Sequence, residues 1–505
     1  MVNYVHGWIE ECELQEIRER DVRYYRKILK ESGRQVEAAE RKRTIHISSR
    51  EKAESQQPRE RKTITGEVQE TGQIRGQRSS ISDFILNSHP SNQISAISHF
   101  ETSSGVDGKV IMKETLNFKE IITLNVEVLN GFGYIAPEFQ HKIEAVWFGF
   151  IYLGMLTSEI VNMILVSGDM EKMIEATFLT LTHLVEIRKV YAVIRYRDRL
   201  KKLLNSINRK EFLPKTTTQA KALQNYVQDS KVISKVFLGA CVATCSFWGI
   251  YPFVDDGDLR LPLGGWFPFD TRYSPWFELA YVYQVIGSTV NGLVNVSLDT
   301  FMSGLIMVVC AQLNILNDSL KNMREQAETE LKGVGIEVGQ YMTNTLQEKM
   351  NEKLLNCVNH HRCIIEFANE LTFLFTTSIL GQFIVSVVII CITLFEITLL
   401  PALSIKFFSL ILYQFCMLLE IFLLCYYGNE VIRESAELTK FAFCSDWMDC
   451  SPEFKRNLVF FMTRSQMALK LYAGGFFTLS LETFVKILKS SWSYFAVLNS
   501  VHTDD

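Results

Sequence analysis

The 505-residue chain contains none of the short motifs that mark common active sites. No Walker loop, nucleophile elbow or His-Glu-x-x-His occurs, so the usual signatures of phosphate cradling, acyl transfer and zinc peptidase chemistry are missing. A basic excess is missing too. The formal net charge of −4 leaves no basic face for nucleic acid. The eleven cysteines follow no disulfide framework. Cys241, Cys245, Cys310, Cys391, Cys416 and Cys425 lie in apolar runs and read as small buried hydrophobes. Cys357, His360, His361 and Cys363 stand close together, but their spacing fits no standard zinc site and reads as a helix end. No metal or cofactor is expected. The first thirty residues are charged throughout, so the expectation is insertion through an internal segment and not a secretory leader.

What is present is an uneven distribution of apolar residues. Residues 1–112 hold 18 Lys+Arg and 17 Asp+Glu with few apolar runs, and the remainder holds most of the Phe, Leu, Ile and Val. That division predicts a polar extension, 1–112, joined to a membrane domain, 113–505. Glu10–Arg43 has the composition of a charged helix, and Glu51–Ser80 is polar enough to stay disordered. A bilayer crossing needs roughly 20 apolar residues. Five stretches qualify: Ala145–Val166, Val232–Val254, Trp276–Leu298, Leu371–Thr398 and Pro401–Tyr427. Two weaker ones complete a set of seven. Met173–Ile194 carries Glu175, Glu186, Arg188 and Lys189, and Gly475–Leu498 carries Glu482, Lys486 and Lys489. Charges inside a span face protein or water. The fold class expected is therefore an all-α membrane protein with seven transmembrane helices.

Loop charge orients the set. Thirteen Lys and Arg lie between Arg188 and Lys235. Lys321, Arg324, Lys332, Lys349, Lys353 and Arg362 lie between spans four and five, and Arg433, Lys440, Lys455 and Arg456 between six and seven. The alternate loops offer Lys172, Arg260 and Arg272. Basic loops stay cytoplasmic, which places the N-terminus inside and the tail after Leu498 outside. Apolar sequence runs from Trp276 to Leu316 without a turn signal, roughly 60 Å of helix. A hairpin of two spans there would invert everything downstream. Long helices that overshoot into a cytosolic bundle are the preferred reading. Asn295-Val-Ser and Asn317-Asp-Ser then fall in membrane or cytosol and should carry no glycan.

The last span is polar along one side and apolar at its end. Helical spacing puts Thr483, Lys486, Ser490, Ser493, Val497 and Val501 on one stripe. A polar stripe suits a hydrated vestibule, and an apolar ring can close a pore by dewetting. Glu482 stands four residues before Lys486, the spacing of a neutralising pair. Gly474-Gly475 interrupts the segment and separates a helix over Phe454–Tyr472 from the last one.

The stretch from Met467 to Leu498, densest at Tyr472–Leu498, resembles the final membrane segment of insect odorant receptors. The resemblance covers about residues 114–500. It includes Ala473-Gly474-Gly475-Phe476 and the Leu261-Pro and Pro268-Phe-Asp elements of the loop between spans three and four. It implies a ligand-specific subunit that assembles with a shared odorant co-receptor into a tetrameric, non-selective cation channel in the plasma membrane of olfactory neuron dendrites. It also implies a pore along the stripe just named, with gate positions Val497 and Val501 and a hinge at Gly474 and Gly475. Members of that family usually begin near sequence like Leu116-Asn-Phe-Lys-Glu-Ile-Ile, so residues 1–112 depart from it, as an unusual tail or an incorrectly joined first exon.

The resemblance implies an odorant pocket in the outer half of the bundle. Candidates are Phe178 on span two, Cys241, Thr244, Cys245 and Trp248 on span three, Tyr283, Ile286 and Val290 on span four, and Phe408 and Ile411 on span six. An apolar pocket with a few hydroxyls suits small volatile molecules. The loop Leu261–Trp276 is either a lid over that pocket or an interfacial aromatic belt. Glu159, Asp299, Glu396 and Glu420 are intramembrane acids that do not cluster on one helix, and no inverted repeat of broken helices is evident, which disfavours a transporter. Two alternatives remain: a gustatory receptor-like channel acting without the co-receptor, and a metabotropic seven-helix receptor, which the loop charge opposes.

Overall fold

The computed structural model describes residues 118–134, 139–168, 170–254, 260–335, 343–401 and 404–504. The polar extension, with its expected helix at 10–43 and disordered tract at 51–80, lies outside the described residues.

The elements are helices almost throughout. They are α1 (Thr123–Gly131), α2 (Phe139–Leu165), α3 (Met170–Arg195), α4 (Arg197–Ser206), α5 (Thr217–Val254), α6 (Trp276–Lys321), α7 (Met323–Gly333), α8 (Asn344–Leu399), α9 (Ile405–Phe443), α10 (Pro452–Ser465) and α11 (Leu481–Asp504). A two-stranded antiparallel hairpin, β1 (Tyr472–Ala473) and β2 (Phe477–Thr478), precedes α11. Spans one to seven correspond to α2, α3, α5, α6, α8, α9 and α11. Among the described residues, α5, α6, α8 and α9 are long and apolar enough to cross a membrane on composition alone, whereas α2 has only the shorter apolar stretch Gly149–Leu165.

Starts are written locally in the sequence. The Thr343, Ser404 and Ser451 side chains each accept a backbone N–H from three residues ahead, capping α8, α9 and α10. Pro452 then occupies the first turn of α10, where its missing N–H is not needed.

α6 is one unbroken helix of 46 residues, about 69 Å, so no hairpin divides it. Its 294–320 half is buried almost continuously, because α5 and α9 cover it along its length and α8 closes the remaining side. α8 runs 56 residues, about 84 Å, and continues well beyond the apolar stretch at its end. The 3-10 turn Phe118–Ile121 and α1 tuck against α5 and α6: Ser230 Oγ donates to Ile121 O at 2.5 Å and Thr300 Oγ1 to Asn125 Oδ1 at 3.0 Å.

The far end of the bundle is held by polar side chains. Gln312 bonds Phe212 O at 3.1 Å through Nε2 and His360 Nε2 at 2.6 Å through Oε1. Asn317 Nδ2 donates to Glu434 O and Oε2, both at 3.0 Å. Cys357, His360, His361 and Cys363 lie inside α8 and not at a helix end, since the Thr343 cap starts that helix upstream of them. Among the described residues no group of His, Cys, Asp and Glu is placed to hold a metal.

Two boundaries differ from expectation. The helix expected over Phe454–Tyr472 ends at Ser465, and the last span begins at Leu481, not Gly475. The cause is the glycine pair. Gly474 and Gly475 have φ of 62° and 76°, left-handed values open to glycine, and they form the turn between β1 and β2.

Candidate functional site

Four helices converge on one cavity of about 70 Å³. Each contributes a stripe at helical spacing: Thr182, His183 and Glu186 from α3; Phe237, Cys241, Thr244, Cys245 and Trp248 from α5; Ser288, Asn291 and Gly292 from α6; Tyr413, Met417 and Glu420 from α9. Gly292 lets α5 and α6 approach, because a Cβ there would lie 2.7 Å from Cys241 Sγ. Phe178 and Trp248 both pack on Tyr413, with ring centroids 5.2 and 5.6 Å away, and Thr182 Oγ1 lies 2.6 Å from the Tyr413 hydroxyl. The apolar walls therefore meet at one aromatic cluster.

The cavity's other boundary is charged. Lys189 Nζ donates to Asp299 Oδ1 at 2.5 Å, to Asn295 Oδ1 at 3.0 Å and to Glu420 Oε1, which also accepts from Gln382 Nε2. α3, α6, α8 and α9 are tied together there. His183 Nδ1 lies 2.8 Å from Glu159 Oε2 and joins α3 to α2. Glu186 and Lys189 of the weak second span thus face protein, whereas Arg188 is exposed.

The loop 261–276 packs over the same end of the bundle. Leu263 is buried and exchanges hydrogen bonds with Gln284 in both directions, at 3.2 and 2.9 Å. Trp266 N donates to Ser158 O at 3.1 Å, and Ser158 Oγ donates to Trp266 O at 2.7 Å. Beneath the loop, Leu263, Phe178 and Trp248 line a smaller gap beside Lys406, which pairs with Glu175 at 2.8 Å and with Glu396 at 3.3 Å.

The structure brings Cys241, Thr244, Cys245 and Trp248 onto the cavity, with Phe178 one ring behind it. Tyr283 instead donates to Ile151 O at 3.0 Å and packs against α2. Ile286, Phe408 and Ile411 are exposed on the outside of the bundle, and Val290 is half-buried away from the cavity lining. His183, Glu186, Asn291, Tyr413 and Glu420 line the cavity without having been named for it. The signal for two of them was available: Tyr413 and Glu420, with Cys416 or Met417 between them, recur at intervals of three or four along α9.

α11 stands at the edge of the bundle, against α8 and α9. Thr483, Ile487 and Ser491 make its buried stripe. Thr483 is anchored by a 2.7 Å hydrogen bond to Thr478 O. Glu482 and Lys486 do pair, at 2.6 Å on the surface. Ser490 and Ser493 are exposed, and Val497 and Val501 are 62% and 53% exposed, so most of the stripe is left uncovered by the described residues. The hairpin before α11 is fastened to the bundle: Gly474 N donates to Thr376 O and Oγ1, and a Cβ on Gly428 of α9 would lie 2.5 Å from Leu479 O.

The family model described as 7tm Odorant receptor matches residues 169–492. Odorant receptor Or1 of Anopheles gambiae is 26% identical over 351 residues, which are 66% of this chain and 83% of that protein. Odorant receptor 46a, isoform A, of Drosophila melanogaster is 24% identical over 339 residues, 66% of this chain and 84% of its own. The insect olfactory receptor OR5 of Machilis hrabei, in complex with eugenol, has the same fold, with a TM-score of 0.65 at 17% identity over 76% of this chain and 98% of that one. The match from α3 into α11 and the shared seven-helix architecture lead to one conclusion: this chain is a multi-pass membrane protein belonging to the insect odorant receptor family.

Proposed function

We propose that the chain is a ligand-specific subunit that joins an odorant co-receptor in a hetero-tetrameric cation channel. The observation that carries this reading is the uncovered stripe of α11. Ser490, Ser493, Val497 and Val501 are exposed, uncovered by the other described helices. In a ring of subunits such a helix lines the axis, with hydroxyls along the conduit and valines at its narrowest level. Val497 and Val501 are the gate in this reading, and Gly474 and Gly475 form the joint above which α11 moves. The orientation that goes with it has the N-terminus and the far end of the bundle in the cytoplasm, where Lys and Arg concentrate. The membrane is the plasma membrane of olfactory dendrites.

The ligand site in this reading is the cavity between α3, α5, α6 and α9. Aromatic and thiol walls suit a small volatile molecule, and the loop 261–276 lines the smaller gap on the other side of Leu179 and Trp248. A ligand that fits the open arrangement better than the closed one shifts the equilibrium toward conduction. The test is current in cells expressing the chain with and without an insect odorant co-receptor across a panel of volatiles. Inward current that requires both proteins supports the reading. Current from this chain alone sinks the co-receptor partnership and favours a channel that acts by itself.

A further inference from the structure

One acid at the cavity is left without a hydrogen-bond partner among the described residues. Glu159, Glu186, Asp299 and Glu420 are carboxylates buried on this side of the bundle. Glu159 faces His183, while Asp299 and Glu420 share Lys189. Glu186 is the remaining one. It is 1% exposed, it lines the cavity, and neither of its oxygens accepts a hydrogen bond from the described residues. The cationic groups of the cluster are Lys189 and, when protonated, His183, and both are already committed to other acids. Burying a carboxyl group without a donor forfeits its hydration with nothing in return. Buried polar groups in native structures have partners, so a bare one beside a cavity marks where an external donor docks.

The rest of the lining says which donor. Phe237, Trp248 and Tyr413 put three aromatic rings on the same cavity. The faces of such rings attract a cation. A neutral hydroxyl would give Glu186 one hydrogen bond and leave its second oxygen bare. An anion would be repelled by it. An ammonium group supplies both the proton donors and the charge, and its alkyl part suits the aromatic walls. The volume of about 70 Å³ admits only a few heavy atoms.

We propose that this cavity selects small amines in their protonated form, with the ammonium group on Glu186 and the alkyl group among Phe237, Trp248 and Tyr413. The inference rests on the cavity being the ligand site, and its test reads binding apart from current. The full-length chain, purified in detergent, is melted at pH 7 with 2-methylpropylamine and, in parallel, with its neutral isostere 2-methylpropanol. Ligand that binds the folded state raises the melting temperature. The amine is expected to raise it by several degrees more than the alcohol, Glu186→Gln to remove that difference, and Glu186→Asp to keep part of it. Where Glu186→Gln does not fold, the wild-type comparison and Glu186→Asp decide. Equal stabilisation by amine and alcohol, lowered for both by Trp248→Ala, overturns the amine selectivity and leaves the cavity as the ligand site. Amine stabilisation unchanged in Glu186→Gln and Trp248→Ala overturns both. Stabilisation by neither compound overturns the amine inference, while odorant-evoked current with the co-receptor still tests the broader reading separately.

Discussion

Lys189 and Asp299 form an ion pair in which both side chains are 1% exposed, 2.5 Å apart, joining α3 to α6 in the middle of the bundle. Glu420 of α9 reaches the same ammonium. Such a pair gains little over an apolar replacement of the whole set, but breaking it by removing one member is severe. Lys189→Met leaves two acids facing each other without a cation. We expect it to destabilise the fold by about 3–5 kcal/mol, read as loss of surface expression and of a cooperative melt. The triple change Lys189→Met, Asp299→Asn, Glu420→Gln should recover much of that loss. A single mutant as stable as the wild type would mean that the cluster does not hold these helices.

The junction before α11 depends on Gly428. A methyl group there meets Leu479 Cβ at 2.4 Å and Leu479 O at 2.5 Å, and backbone cannot step aside as a side-chain tip can. Gly428→Ala should cost about 1–3 kcal/mol and loosen the hairpin on α9. Faster hydrogen exchange confined to 472–484 is the expected signature, and unchanged exchange there would contradict it.

A clamp between α7 and α8 carries a pH dependence. Burial disfavours the Glu330 carboxylate, but Lys353 and Lys349 outweigh it and hold its pKa below the ordinary 4.5. A depressed acid stabilises the fold above its unfolded pKa, and that contribution is lost as pH falls through the folded value. Protection of α7 from exchange should therefore be flat above about pH 5 and drop on further acidification. Half of the Glu330 side chain is exposed, so the effect is small and screened by salt. Glu330→Gln should abolish the acid-dependent step.

The gate reading makes a demand on Val497. Lysine at that position puts a charge in each copy's apolar ring, which keeps the ring wet and repels cations. Val497→Lys in co-expressed channels should change conductance or spontaneous opening several-fold with surface expression intact. Identical currents would remove Val497 from the conduction path.

The long helices were legible from runs of apolar residues, because α6, α8 and α9 need no partner to declare themselves. α3 was legible only against its own charges, since Lys189 makes sense once Asp299, Asn295 and Glu420 stand beside it. Those partners lie more than a hundred residues away, and single-sequence periodicity carries no such pairing. The same limit explains the cavity. The α5 stripe of Cys241, Thr244, Cys245 and Trp248 was recovered because spacing defines it, while Ile286, Phe408 and Ile411 sit on the opposite faces of their helices. Hydropathy does not separate a helix's inward apolar face from its outward one when both are apolar. The turn at Gly474-Gly475 was visible as a break, but its strands are two residues each, too short for alternation to show.

The unbroken course of α6 has a mechanical consequence. Asn291 lies at the cavity and Asn317 lies 26 residues further along, about 39 Å on the same rod. α9 runs beside it, from Tyr413 at the cavity to Glu434 at the Asn317 contact. The two struts are pinned to each other at the Lys189 cluster and again at Asn317–Glu434, like the long sides of a linkage. Neither can tilt alone without breaking a pin, so a displacement of one strut carries the other with it.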